Sequence, residues 1–209
     1  MLPALLFTVA IIIAVLYLKR TRHRTSTARS LRKTLPVLLF ALIASLEGGP
    51  VALIVALAFA ALGDFALSRD GDRAFLIGMA GFAICHIAYI WLLMPMMGPP
   101  STAQLWVILA LLAMGVLLNF VLIPFTGAFA WPVRGYMALI IAFGAVSLTL
   151  PQSNWIIPFG ALIFILSDFC LAIEHFILKT DGWLSKTLSK TVWITYITAQ
   201  SALLLGFLF

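Results

Sequence analysis

An all-α polytopic membrane protein with eight transmembrane helices is the fold class this sequence predicts, and three observations carry the prediction. Hydrophobic residues make up 64% and charged residues 10% of 209 positions, with a mean hydropathy of +1.16; a soluble domain of that composition lacks the polar side chains to cover its surface. The apolar residues gather into eight segments close to the length that spans a bilayer, about 20 residues and roughly 17 at the short end. The cations fall only on alternate connections between those segments.

In chain order the segments are 2–18, 31–46, 51–67, 74–94, 103–122, 133–150, 155–176 and 190–208, so residues 1–209 read as a single transmembrane domain. The first segment has its basic residues after the apolar run, the arrangement of an uncleaved anchor with its N-terminus outside rather than of a secretory signal. The second has a short uncharged run, Leu35 to Leu46, and spans if Arg32 and Lys33 reach back to the interface. A re-entrant hairpin is the competing reading there. The third segment carries Asp64 near its end and the fourth carries His86 at its middle, where an ionisable group is costly without a task or a partner.

Lys19, Arg20, Arg22, Arg24, Arg29, Arg32 and Lys33 follow the first segment, Arg69 and Arg73 the third, Arg134 the fifth, and Lys179, Lys186 and Lys190 the seventh; together these are all thirteen Lys and Arg. The other connections and both termini have none, which places both termini outside by the positive-inside rule. Gly48-Gly49-Pro50, Pro99-Pro100 and Pro151 punctuate the outer connections, and Pro124 and Pro132 bracket an inner one. The net charge of +6 does not indicate a nucleic-acid partner, because it concentrates in residues 19–33 directly after an apolar run, as in a cytoplasmic loop facing anionic lipid. A bacterial inner (cytoplasmic) membrane is the expected location. Cys85 and Cys170 lie inside apolar segments and form neither a disulfide framework nor a Cys-x-x-Cys motif.

Leu62-Gly63-Asp64-Phe65-Ala66-Leu67 reads against Leu166-Ser167-Asp168-Phe169-Cys170-Leu171. Both stretches run from outside to inside, which suits a parallel four-plus-four (4+4) repeat about an axis along the membrane normal. Counted from the inner ends at 1.5 Å per residue, Asp64 lies roughly 6 Å deep, Asp168 roughly 12 Å and His86 roughly 18 Å. Asn119, Tyr196 and Gln200 fall in the same inner half or near the midplane. A polar cavity opening toward the cytoplasmic side is the expected consequence, since lipid-exposed polar groups at these depths would have no partners. Each residue also has a plainer reading. Asp64 could cap a helix end or pair with Arg69 or Arg73, and His86 could be a satisfied interhelical histidine on a helix packed through Gly78 and Gly81. Glu174 and His175 read as a solvated helix end, and Lys33 and Arg134 as inner-side charges able to hold a lipid phosphate.

Lys33, then Gly63-Asp64, then Phe75-x-x-Gly78-x-x-x-Phe82-x-x-x-His86-x-x-Tyr89, then Gly160-Ala161-x-x-Phe164-x-x-Ser167-Asp168, and finally Tyr196-x-x-x-Gln200 together resemble the YhhN-type lysoplasmalogenase family. The resemblance runs over nearly the whole chain from the second helix onward. It departs at Thr34, where the family pattern usually has proline after the lysine; Pro36 stands two residues later. The resemblance implies hydrolysis of the vinyl-ether bond of a lysophospholipid substrate held among membrane lipid, with no metal and no cofactor. That reaction needs an acid still protonated near neutral pH and a carboxylate to stabilise an oxocarbenium-like cation and activate water, as in glycosidase carboxylate pairs. Asp168 is the expected acid and Asp64 the expected water-activating carboxylate, with His86 orienting a carboxylate or relaying protons. Lys33, Tyr89, Asn119, Arg134, Ser167, Tyr196 and Gln200 are the candidate substrate-binding residues, Tyr89 or Gln200 for the ether or glycerol oxygens.

Three rivals come from other classes. A two-aspartate intramembrane protease would need glycine where Ala61 stands in Gly-x-Gly-Asp. An all-histidine zinc centre cannot be built from His86 and His175 at different depths. A small proton- or cation-coupled transporter with Asp64 and Asp168 at the pseudo-axis stays open.

Overall fold

The computed structural model describes residues 1–21, 25–178 and 182–209. Arg22, Arg24 and Lys179, three of the cations in the topology argument, lie outside the described residues. Among the described residues there are eight α-helices and no strand: α1 Leu2–Leu18, α2 Thr27–Leu46, α3 Val51–Leu67, α4 Asp72–Leu93, α5 Thr102–Val121, α6 Ala130–Ser147, α7 Ile156–Ala172 and α8 Trp183–Leu208. Five helical stretches are long and apolar enough to cross a membrane, at Asp72–Met96, Thr102–Phe125, Gly127–Ser147, Ile156–Ile177 and Trp183–Leu208, and Leu2–Leu18 and Val51–Leu67 are shorter apolar helices.

The boundaries that differ from the sequence expectation do so for local reasons. α2 starts at Thr27 rather than 31 because Ser26 caps it, its side chain accepting from the Arg29 backbone N–H at 3.2 Å. It is one continuous helix of 20 residues, so the second segment does not form a hairpin. α6 starts at Ala130 and takes Pro132 into its first turn, where a missing N–H costs nothing. α8 starts at Trp183 rather than 190, adding two turns whose inward residues are Ser185 and Ser189. α7 ends in a π turn, Ile173–Ile177, closed by the Leu178 N–H on the Ile173 carbonyl at 3.0 Å. One extra residue per turn shifts the helix register, and here it sends Glu174 toward α8 and His175 toward α4.

The most extensive packing joins α3 to α4 and α7 to α8; α4 with α6 and α2 with α8 tie the two halves together. Shifting every helix by four maps α3–α4 onto α7–α8 and α2–α8 onto α6–α4. Small residues permit the close pairs. A Cβ on Gly81 would lie 3.0 Å from the Phe59 carbonyl oxygen, and one on Gly160 3.2 Å from that of Ala199, so backbone meets backbone at both crossings. Gly71, at φ +100, turns α3 tightly into α4 and so brings Leu67 and Phe75 to the rim of one cavity.

Candidate active site

Asp64 and Asp168 sit on α3 and α7, one helix from each of the two most closely packed pairs, and each meets a tyrosine hydroxyl from a different helix. Tyr196 on α8 donates to Asp64 Oδ2 at 2.7 Å, and Tyr136 on α6 donates to Asp168 Oδ2. The two carboxyls differ in everything else. Asp64 is 1% exposed and its Oδ1 lies 3.8 Å from Lys33 Nζ on α2. Asp168 is only partly buried, and among the described residues its Oδ1 has no protein partner and no cation pairs with it. The pairing open for Asp64 with Arg69 or Arg73 is not made: Arg69 lies instead over the Phe65 ring, 4.9 Å from its centroid.

Aromatic rings pack between the carboxyls and the His86 and Tyr89 level of the bundle. Phe82, Phe164 and Tyr196 meet edge to face at 5.6–6.1 Å. His86, fully buried, has its Nδ1 2.7 Å from the Phe82 carbonyl oxygen. A carbonyl only accepts, so Nδ1 carries the proton, and Nε2 finds no partner among the described residues. His86 thus touches neither carboxylate directly; it packs against the Tyr136 ring that holds Asp168.

The remaining predicted site residues fall into pairs. The Tyr89 hydroxyl donates to Gln200 Oε1 at 2.7 Å, both fully buried one turn beyond Tyr196. Arg134 Nε donates to Asn119 Oδ1 at 2.9 Å and lies over Trp131, a link between α5 and α6 that reaches neither aspartate. Ser167 donates to the Val192 carbonyl at 2.9 Å and ties α7 to α8.

Sequence reasoning missed Tyr136, Arg29 and the contact of Glu174 with Ser189. Tyr136 could have been found, since the chain has only four tyrosines and this one stands in a helix otherwise without hydroxyls until Ser147. Arg29 donates to the carbonyls of Thr21 at 2.9 Å and Ser68 at 3.0 Å, filling acceptors left open just past the ends of α1 and α3. Glu174 is bonded by Ser189 rather than standing as a solvated helix end.

Two adjoining spaces lie beside the carboxyls; the smaller reaches Asp168, and Asp64 stays behind Lys33, lining neither. A cavity of about 440 Å³ opens among the C-terminal ends of α1 and α7, the N-terminal ends of α2 and α8 and the α3–α4 turn, with Arg29, Lys33, Arg69, Asp70, Asp72 and Glu174 on its walls. Its size falls within the range of small-ligand pockets. A cleft of about 60 Å³, lined mainly by apolar side chains, reaches Asp168 and Tyr136 between α4, α6 and α7. Leu67, Phe75, Leu171 and His175 line both. Among the described residues no group of three His, Cys, Asp or Glu side chains is placed to hold a metal ion.

The class is therefore an all-helical protein, with several helices long and apolar enough to cross a membrane, that keeps two carboxyls inside its helix bundle. Within that class the chain belongs to the YhhN family, whose family model matches residues 28–207. No curated protein and no solved structure matches it.

Proposed function

We propose that this protein is an integral membrane hydrolase that cleaves the vinyl-ether bond of lysoplasmalogens to a fatty aldehyde and glycerophospho-ethanolamine or glycerophospho-choline. Membership of the YhhN family supports this reading. The observation that carries it is the inequality of the two aspartates: Asp64 has Lys33 beside it, whereas Asp168 borders a cleft with, among the described residues, only a hydroxyl for partner. One carboxyl keeps a counter-charge and the other is placed to hold and deliver a proton, the division of labour that acid-catalysed ether cleavage requires.

In this mechanism Tyr136 fixes Oδ2 of Asp168, and Oδ1 protonates the alkenyl carbon distal to the ether oxygen. The electron pair of the double bond forms the new C–H bond, and the positive charge spreads over the adjacent carbon and the oxygen. Asp64, tied by Tyr196 and balanced by Lys33, stabilises that cation and takes a proton from the water that adds to it. The hemiacetal then collapses to aldehyde and glycerol hydroxyl, and the proton gained at Asp64 returns to Asp168 before the next turnover. Water enters through the charged cavity that Lys33 lines.

The bundle sits in a bacterial inner membrane as a single domain of eight spans, both termini outside and the charged cavity at the cytoplasmic face. The cations of the inner connections support that orientation. The packing relation between α1–α4 and α5–α8 favours one second reading, a small cation- or proton-coupled transporter on a parallel repeat. Purified protein in detergent separates the two. Aldehyde release from lysoplasmenyl-ethanolamine, which needs no second compartment, is the expected result; no aldehyde, together with proton-coupled flux in proteoliposomes, would overturn the hydrolase.

A further inference from the structure

The Phe75 and His175 rings stack face to face, centroids 4.1 Å apart and planes 1° from parallel. Phe75 comes from the first turn of α4 and His175 from the π turn after α7. Phe129 and Phe176 stand edge-on to Phe75 at 5.5 and 5.6 Å, which fixes its plane. With Leu67 and Leu171, the pair is common to the charged cavity and to the Asp168 cleft, so it stands where the two spaces meet.

The two spaces suit the two parts of one amphiphile. The larger carries cations and carboxylates; the smaller is apolar apart from Asp168, Tyr136 and the shared His175, and lies between α4, α6 and α7. We propose that the Phe75–His175 stack is the partition past which a single alkenyl chain threads from the charged cavity into the Asp168 cleft, making these two rings the determinants of single-chain selectivity. The inference rests on the vinyl-ether reading for the identity of the chain. The glycerophosphate then remains in the charged cavity, the carbons next to the ether oxygen lie at the stack within reach of Asp168, and the tail passes Met79 and Val133 toward lipid. A second chain would have to open the same ring contact again.

A saturated 1-O-alkyl lysophosphatidylethanolamine with a diazirine on its chain tests this without turnover, because it has no vinyl ether to cleave. Irradiated with the purified full-length protein in detergent, it should label Met79, Val133 or Phe176. Phe75→Trp, which crowds the partition, should lower that labelling at least about tenfold, in the range that one misfitting apolar group produces. Phe75→Ala with His175→Ala should let a two-chain ether analogue label the cleft, which the unaltered protein excludes, and His175→Phe, which keeps a ring on the stack, should restore exclusion. Should Phe75→Trp fail to fold, the alanine pair tests the same partition in the opposite direction. Label confined to outward helix faces, or equal cleft labelling by one- and two-chain analogues in the unaltered protein, would overturn the proposal. Cleft labelling without aldehyde release would count against the hydrolase and leave the partition standing, whereas aldehyde release without cleft labelling would do the reverse.

Discussion

Lys33 Nζ stands 3.8 Å from Asp64 Oδ1 across the α2–α3 contact, and among the described residues no cation is paired with Asp168 across the corresponding α6–α7 contact. Tyr136 occupies that second position. The two closest helix pairs therefore present one carboxyl with a counter-charge and one without.

Replacing either carboxyl should stop catalysis in protein that still folds, with Asp64→Asn also less stable because it leaves Lys33 without its counter-charge. Asp64→Asn and Asp168→Asn keep volume and most hydrogen bonding but cannot trade a proton, so each should lower the rate of aldehyde release by at least about 10²-fold. Near-normal turnover in a well-folded variant would return that aspartate to a structural role.

Removing Lys33 should destabilise the protein through Asp64. Breaking a buried ion pair by deleting one partner typically costs about 3–5 kcal/mol, whereas replacing both by apolar residues is often close to neutral. Lys33→Met should thus lower the thermal unfolding midpoint in detergent, and Lys33→Met with Asp64→Leu should recover it without recovering activity. Equal midpoints for the unaltered protein and Lys33→Met would show that the pair contributes nothing.

The tyrosines should matter by their hydroxyls. A hydrogen bond to a charged or proton-carrying group is worth about 1.5–3 kcal/mol, so Tyr136→Phe should lower kcat by roughly tenfold or more and Tyr196→Phe similarly. Activity should also fall on the alkaline side, because a general acid works only while it holds its proton. That limb should shift in Tyr136→Phe, which alters the hydrogen bonding of the acid, and persist in Arg134→Gln, which touches neither aspartate. A pH profile of kcat checks both.

Reporter fusions test the orientation. Fusions after Arg29, Asp72 and Gly182 should read cytoplasmic, and those after Pro100 and at the C-terminus should read outside. A cytoplasmic C-terminus would break the eight-span arrangement.

Helix existence was legible because apolar runs end in recognisable chemistry, such as Gly48-Gly49-Pro50 before α3 and Pro99-Pro100 before α5. Helix starts were less so. The first turn of α2 is polar and capped, and the first two turns of α8 mix Trp183 and Leu184 with Ser185, Lys186, Thr187 and Ser189, so hydropathy does not distinguish either from a loop. Asp64, Asp168 and His86 stood out as polar residues in apolar surroundings, but their partners did not. Lys33 is 31 positions from Asp64, while Arg69 and Arg73 are nearer in sequence and do not pair with it; only the packing of α2 on α3 decides between them. Tyr136 is 32 positions from Asp168 and sits on a helix with no other acidic or hydroxyl group nearby to draw attention to it. The π turn left no sequence signature, and with it the stacking of His175 on Phe75 went unforeseen.

The central claim is proton delivery from Asp168 to the alkenyl carbon, and turnover in heavy water tests it most directly. Purified protein should convert lysoplasmenyl-ethanolamine to an aldehyde that, reduced to the alcohol as it forms, carries one deuterium on the carbon next to the former carbonyl. Asp168→Asn should yield almost none. Aldehyde without that deuterium, or undiminished release by a folded Asp168→Asn protein, would contradict the account.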